Sequence, residues 1–283
     1  MDAAAAADLG LEAGTPVSYR AGDQPNNAFS LNVLDPGEVA ATGGTSGVVY
    51  GVTDVPRPDR FSRVNTFLHV NHEPRRPRYG VLLCINGTGI LNAWVKKTTV
   101  PDMSYPEVNR RCAEIPVGSE GVLMLPFGNG AERMLGNRYT GAEAIGLDLN
   151  RHDRFHLLRA AQEGIAFAFR YGMDVMRETG LRLRVIRAGY ANLFLSPVFR
   201  QTLATLCGAD IELYNTDGAL GAARGAALGA GLYASREETF ASLRKIDEVR
   251  PDPADRDVLE RGYARWKAEL ENRLGRASHG TSV

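Results

Sequence analysis

Three glycine-rich bends and one aspartate carry the residue types that phosphate chemistry needs. The bends are Gly43-Gly44-Thr45-Ser46-Gly47, Gly87-Thr88-Gly89 and Ala188-Gly189-Tyr190-Ala191-Asn192. Phosphate concentrates negative charge, and backbone N–H groups reach it only where side chains leave room, so glycine turns leaving strands make natural cradles. Taken singly, each bend also reads as a plain tight turn. None follows the Walker spacing, which needs a lysine after the second glycine, or the spaced Rossmann fingerprint. Asp23, in Ala21-Gly22-Asp23-Gln24-Pro25-Asn26-Asn27, has two readings. It caps a short helix with Pro25 in the first turn, or it places a carboxylate to take a proton from an attacking hydroxyl. Glycines 218, 221, 225 and 229 share one face of a helix. Each costs that helix roughly 1 kcal/mol relative to alanine, so close packing must compensate, either helix on sheet or a wall beside a nucleotide.

These residues need elements to hold them. The stretch from Gly37 to Val52 predicts two short strands around the first bend. Val64 to Val70 and Tyr79 to Ile85 predict two more, joined by a polar loop broken at Pro74 and Pro77. Ile90 to Lys97 predicts a helix leaving the second bend, and Gly121 to Phe127 a buried strand. Leu158, Ala161, Ile165, Ala168, Gly172 and Val175 recur at helical spacing in a helix ending at Gly180. Leu183 to Ile186 then predicts a strand. A helix follows with Ser196 as its cap, Pro197 at its first position and Gly208 just past its end. Ile211 to Tyr214 returns as a strand. The glycine-alanine helix runs from Gly218 to about Tyr233, and a last helix from Asp252 to Leu274 carries Leu259, Tyr263, Trp266 and Leu270 on one face. A block of strands followed by alternating strand and helix predicts an α/β domain built on a mixed sheet. The most linker-like stretch is Arg250 to Asp255.

The bulk numbers bound the function. At 283 residues the chain is long enough to bury a sizeable core. It carries 44% hydrophobic and 23% charged residues, and Lys+Arg balances Asp+Glu at 33 each. Zero net charge argues against coating nucleic acid or an anionic membrane, despite the local cluster Arg57, Arg60, Arg63, Arg75, Arg76 and Arg78. Three scattered cysteines, Cys84, Cys112 and Cys207, argue against a disulfide framework or a zinc site, and each reads as a buried small hydrophobe. The five histidines, His69, His72, His152, His156 and His279, lack metal-ligand spacing and read as surface or half-buried. With no membrane span and no signal peptide in the pattern, the expected location is the cytoplasm.

Read together, these segments resemble the FGGY family of carbohydrate kinases, from about Gly14 to Trp266. Gly14-Thr15-Pro16-Val17 with Ala21-Gly22-Asp23-Gln24 looks like the family's approach to its catalytic aspartate. Glu38 to Val52 is similar to its phosphate-binding hairpin, and Ile85 to Trp94 stands where it keeps a glycine turn and a tryptophan-bearing helix. Leu125-Pro126-Phe127 through Glu132-Arg133 resembles its LPY…GER segment, and Gly218 to Ala223 its closing glycine-alanine helix. One departure is plain: the usual Gly-Gly-Gly-Ala of the adenosine-side turn reads here as Arg187-Ala188-Gly189-Tyr190-Ala191-Asn192.

The resemblance implies an actin-like, ribonuclease H-like α/β fold and ATP with Mg2+ as cofactors. It implies Asp23 as catalytic base, Gln24 beside it on the sugar, and Gly44, Thr45, Ser46, Gly87, Thr88, Gly89, Gly189 and Asn192 around ATP. It further implies that residues 1–36 close the sugar-binding domain, 37–250 form the nucleotide-binding domain, and 251–283 add a helix and tail. The amino-terminal domain, with the magnesium ligand and most sugar contacts, is expected outside this chain, which is then inactive by itself. No metal ligand is expected within it. The wording is closest to xylulose kinases, which implies phosphorylation of D-xylulose to D-xylulose 5-phosphate. A kinase for another ketose or polyol, or a non-catalytic nucleotide-binding or assembly module, stays open, as does a homodimer.

Overall fold

The computed structural model describes residues 1–279. Two helices, α1 (Ala3–Leu9) and α2 (Asp23–Ser30), precede strands β1 (Glu38–Gly43), β2 (Gly47–Thr53), β3 (Asn65–Leu68) and β4 (Tyr79–Ile85). Then come α3 (Gly89–Thr99), α4 (Tyr105–Glu114), β5 (Leu123–Phe127), β6 (Gly141–Ile145) and the long α5 (Arg154–Glu178). β7 (Val185–Gly189), α6 (Pro197–Cys207), β8 (Asp210–Tyr214), α7 (Gly218–Gly229) and α8 (Arg236–Thr239) follow. β9 (Lys245–Val249) and α9 (Arg256–His279) close the chain.

Seven strands form one sheet in the order β3-β4-β2-β1-β7-β8-β9, while β5 and β6 pair as a separate hairpin. β1 runs antiparallel to β2 and parallel to β7, which runs parallel to β8, so the sheet is mixed. Alternation along each strand sends side chains to opposite faces. Val39 and Ala41 of β1 join Val49, Val81, Leu83 and Ile85 in the large core under α5 and α6. Ala40 instead joins Tyr50 and Val52 in a smaller cluster with Ala28, Leu31 and Val33 at the α2 side. Helices therefore cover both faces.

α5 is the central pillar. Asp153 accepts from the amides of Phe155 and His156, and the His156 ring closes a reciprocal capping box. Arg159 and Glu163 on α5 form a buried pair at 2.7 Å. Arg159 also donates to the carbonyls of Cys112 and Ile115, where α4 ends, and so fixes α4 against α5. Burial pushes the Glu163 carboxyl pKa up, opposed by Arg159 and by hydrogen bonds from Gly118 and Ser119. Trp266 of α9 is fully buried and donates to the Met124 carbonyl of β5 at 2.9 Å.

Several expectations are corrected. α4, β6, β9 and the short α1 and α8 carried no reading in the sequence. α7 ends at Gly229 rather than near Tyr233. Its glycine face meets the helix α2 and the Ser18–Tyr19 segment, not the sheet: a Cβ at Gly221 would collide with the Asn26 carbonyl, and one at Gly225 with the Tyr19 ring. Asp23 is not a helix cap. Gly22 holds the cap position, without any side-chain cap bond. Cys84 is exposed, unlike the buried Cys112 and Cys207, and His69 and His156 are buried.

Candidate functional site

The β1–β2 hairpin ends in the bend Gly44-Thr45-Ser46, with Thr45 and Ser46 exposed. Its carbonyls are engaged: Gly44 accepts from the Gly89 amide and Thr45 from the Ile90 amide, both at 3.0 Å. The bend is thereby spliced onto the first turn of α3. Its own amides are different. Among the described residues, the N–H groups of Gly44, Thr45 and Ser46 donate no hydrogen bond. Three successive uncommitted donors are what an anion needs. Gly89 and Gly47 permit this splice: a Cβ on Gly89 would strike the Gly44 carbonyl, and one on Gly47 would lie 2.7 Å from the Thr88 hydroxyl.

The preceding loop is held from behind. Glu132, with no exposed surface, accepts from the amides of Asn86 and Gly87 at 3.0 and 2.9 Å. Burial raises its pKa, and those two N–H bonds oppose the rise. Thr88 is buried and donates to the Ile85 carbonyl. A side chain at Gly87 would run into the Pro126 carbonyl.

A cleft of about 410 Å³ opens beside the hairpin bend, a size suited to a small-molecule ligand. Gly44, Thr45, Gly89, Asn92, Tyr105, Asn109 and Asn192 contribute to its wall. Asn192 adopts the left-handed conformation, with φ of 53°, which asparagine tolerates better than most residues.

Asp23 lies at the start of α2 in a separate depression with Arg20, Gln24, Phe67 and His69. It is exposed, and both the amide and the carboxamide of Gln24 donate to it at 2.9 and 3.1 Å. Cys84, at the end of β4 just before the Asn86–Gly89 loop, feels the negative charge of both Asp23 and Glu132. Burial is the largest cause raising the Cys84 pKa, with Arg133 lowering it.

A model of the FGGY family of carbohydrate kinases, C-terminal domain, matches residues 39–234. The chain belongs to this family. A xylulose kinase of Haemophilus influenzae is 27% identical over 272 residues, covering 93% of this chain and 52% of that protein. The L-xylulose/3-keto-L-gulonate kinase of Escherichia coli is 29% identical over 275 residues, covering 93% and 51%. The crystal structure of xylulose kinase from Rhodospirillum rubrum superposes with a TM-score of 0.86 at 28% identity, covering 99% of this chain and 56% of that one. The sheet with its flanking helices is the actin-like ATPase fold of such FGGY sugar kinases. This FGGY chain spans about half the length of the curated relatives it matches.

Of the residues expected around ATP in this FGGY chain, Gly44, Thr45, Gly89 and Asn192 share one cleft. Ser46 is on the exposed tip of the same bend, whereas Gly87 and Thr88 lie behind it in the Glu132 brace. Gly189 ends β7, where a Cβ would come within 3.0 Å of the Thr216 carbonyl. Asn92, Tyr105 and Asn109 were not singled out in the sequence. For Asn92 a signal existed: it is one helical turn beyond Gly89, between the apolar Leu91 and Val95 with which it is buried. Among the described residues no group of three His, Cys, Asp or Glu side chains could hold a metal ion, and no helix is long and apolar enough to cross a membrane.

Proposed function

We propose that this chain forms the nucleotide-holding half of an ATP-dependent kinase that phosphorylates D-xylulose to D-xylulose 5-phosphate. The observation that carries the reading is the hairpin bend, whose three uncommitted amides stand at the rim of a cleft large enough for adenosine. In this reading residues 1–36 close the sugar-binding half, 37–250 hold the nucleotide, and 251–283 add a carboxy-terminal helix and tail.

Asp23 accepts the proton of the sugar hydroxyl as its oxygen bonds to the γ-phosphorus and the bond to the β-phosphate oxygen breaks, leaving ADP. The Gln24 carboxamide, already bonded to Asp23, orients that carboxylate and contacts the sugar beside it. Gly44, Thr45 and Ser46 donate to the phosphate oxygens, and the two hydroxyls add further donors. Gly87 and Thr88 border this region through the braced loop, Gly89 lines the phosphate end, and Gly189 with Asn192 borders the adenosine. The Mg2+ that such kinases typically use finds no three-ligand cluster among the described residues.

Positioning supplies most of the acceleration in phosphoryl transfer, so these 283 residues alone are expected to give no appreciable turnover of D-xylulose. Co-expression with a matching amino-terminal half is expected to restore ADP release in a coupled assay. Clear turnover by the chain alone overturns the half-enzyme reading. The name of the Escherichia coli relative makes L-xylulose and 3-keto-L-gulonate the comparison substrates. A kcat/KM for either above that for D-xylulose would reassign the sugar.

A further inference from the structure

Every amide from Asn86 to Ile90 donates to another part of the protein. Asn86 and Gly87 each reach one carboxylate oxygen of Glu132, at 3.0 and 2.9 Å, and Thr88 donates to the Asn86 carbonyl. Gly89 and Ile90, at the start of α3, donate to the carbonyls of Gly44 and Thr45. The backbone donors of the second glycine bend therefore point away from any phosphate. They hold the first bend instead.

That hold sets a direction. In a planar trans peptide the carbonyl and the amide that follows it point opposite ways. With the Gly44 and Thr45 carbonyls turned onto α3, the Thr45 and Ser46 N–H groups both face away from it, toward the same side, as an anion requires. α3 imposes this only while the loop before it stays in place. Glu132, wholly buried, is the group that loop leans on. Its own backbone is tied down, the amide to the Arg138 carbonyl and the carbonyl to the Leu135 and Asn137 amides. The Asn86 carboxamide adds a bond to the Ala131 carbonyl at 2.8 Å. On the other side the Pro126 carbonyl stands where a Gly87 Cβ would lie, so the loop is closed in there too.

We propose that Glu132 is a positioning residue for phosphate binding: it touches no ligand, and through the Asn86–Gly89 loop and α3 it aims the Thr45 and Ser46 amides. The sign of its effect separates this role from plain electrostatics. A carboxylate behind an anion site repels the anion, so removing its charge would tighten binding if charge alone governed. Aim works in the opposite sense. The carboxamide of Glu132→Gln keeps one acceptor oxygen and sets an NH2 group against the second amide. The loop then loses a charge-assisted bond, which is among the stronger hydrogen bonds. The inference rests on the nucleotide-binding reading above and names what orients that site.

The test is calorimetric titration of the 283-residue chain with pyrophosphate, ADP and adenosine. Glu132→Gln is expected to weaken pyrophosphate and ADP by about tenfold each, while adenosine, which carries no phosphate, keeps its affinity. Asn86→Ala removes only the exposed bond to Ala131 and leaves the backbone amide on Glu132. It should weaken pyrophosphate and ADP by about threefold, and it decides the matter if Glu132→Gln fails to fold. Variants that melt earlier but keep all three affinities would overturn the inference, as would tighter pyrophosphate binding by Glu132→Gln. Equal weakening of adenosine would mean general damage to the cleft and would overturn it as well. In each of those cases wild-type binding of pyrophosphate leaves the nucleotide reading standing. A wild type that binds adenosine but no pyrophosphate would remove the hairpin bend as a phosphate site, and this inference with it.

Discussion

In the proposed mechanism Asp23 is the residue on which the chemistry turns, and its surroundings suit a base that must meet substrate. It is exposed, and among the described residues its carboxylate is held only by Gln24, so its outer oxygen lone pairs remain available. In the chain joined to its amino-terminal half, Asp23→Asn is expected to lower kcat by roughly 10²–10⁴ while ADP affinity stays within about twofold. Retained turnover would make Asp23 a structural residue. A second residue-scale effect comes from His69, which lies between Tyr50 Oη and the Val33 carbonyl. Burial drives its pKa down from 6.5 to about 4. The unfolded chain therefore binds the extra proton between those values. Stability is full above pH 6.5 and is lost as pH falls toward 4, by an amount on the order of 3 kcal/mol. Glu132 and Glu163, raised by burial, act in the opposite sense, so the readout is a difference. Wild-type melting temperature should fall relative to that of His69→Gln between pH 7 and pH 5, and parallel curves would contradict this. Asp23 stood out in the sequence because residue type and neighbours set it apart. The signal at Asn92 was weaker, because its burial exists only once the helices are packed.

At the scale of elements, the placement of Asp23 depends on how α2 meets α7. Glycines along α7 let the two backbones approach, and a Cβ at Gly221 would enter the space of the Asn26 carbonyl, which cannot swing aside as a side-chain tip would. Gly221→Ala gains up to about 1 kcal/mol of helix propensity, yet overpacking costs about 1–3 kcal/mol. The expected result is net destabilisation in urea unfolding, with reduced kcat in the complemented enzyme because α2 carries Asp23. A variant as stable as wild type would mean the two helices separate freely. The glycine spacing was plain in the sequence, but its partner was not, since nothing local distinguishes a helix neighbour from a sheet. The strands around the first bend were equally plain, being valine- and alanine-rich runs on either side of a glycine turn. α4 was hidden by its polarity, although Ser104 capping and Pro106 in the first turn mark its start. β6 and β9 are short strands of small or charged residues, which alternate too weakly to stand out.

For the whole molecule, the sequence order of strand block followed by alternating strand and helix was enough for a mixed α/β sheet. It could not say that β1 pairs in parallel with β7, about 150 residues later. That pairing matters, because it sets the Gly44 bend and Asn192 on one cleft and, in the proposed reading, makes nucleotide affinity a property of the folded sheet. Ligand binding should then stabilise the entire chain, not one loop. ADP at about 100 times its Kd contributes about 2.7 kcal/mol, which for a chain of this length raises Tm by about 4–5 °C. Thr45→Pro removes one of the three free amides of the bend and is expected to shrink that shift markedly. D-xylulose alone should move Tm far less, because the proposed reading gives this half only the Asp23–Gln24 corner to meet it. Differential scanning calorimetry with ADP, D-xylulose and both separates the cases. A shift with the sugar but none with ADP would mean that the cleft beside the hairpin is not the nucleotide site, and that the uncommitted amides of Gly44, Thr45 and Ser46 face only solvent.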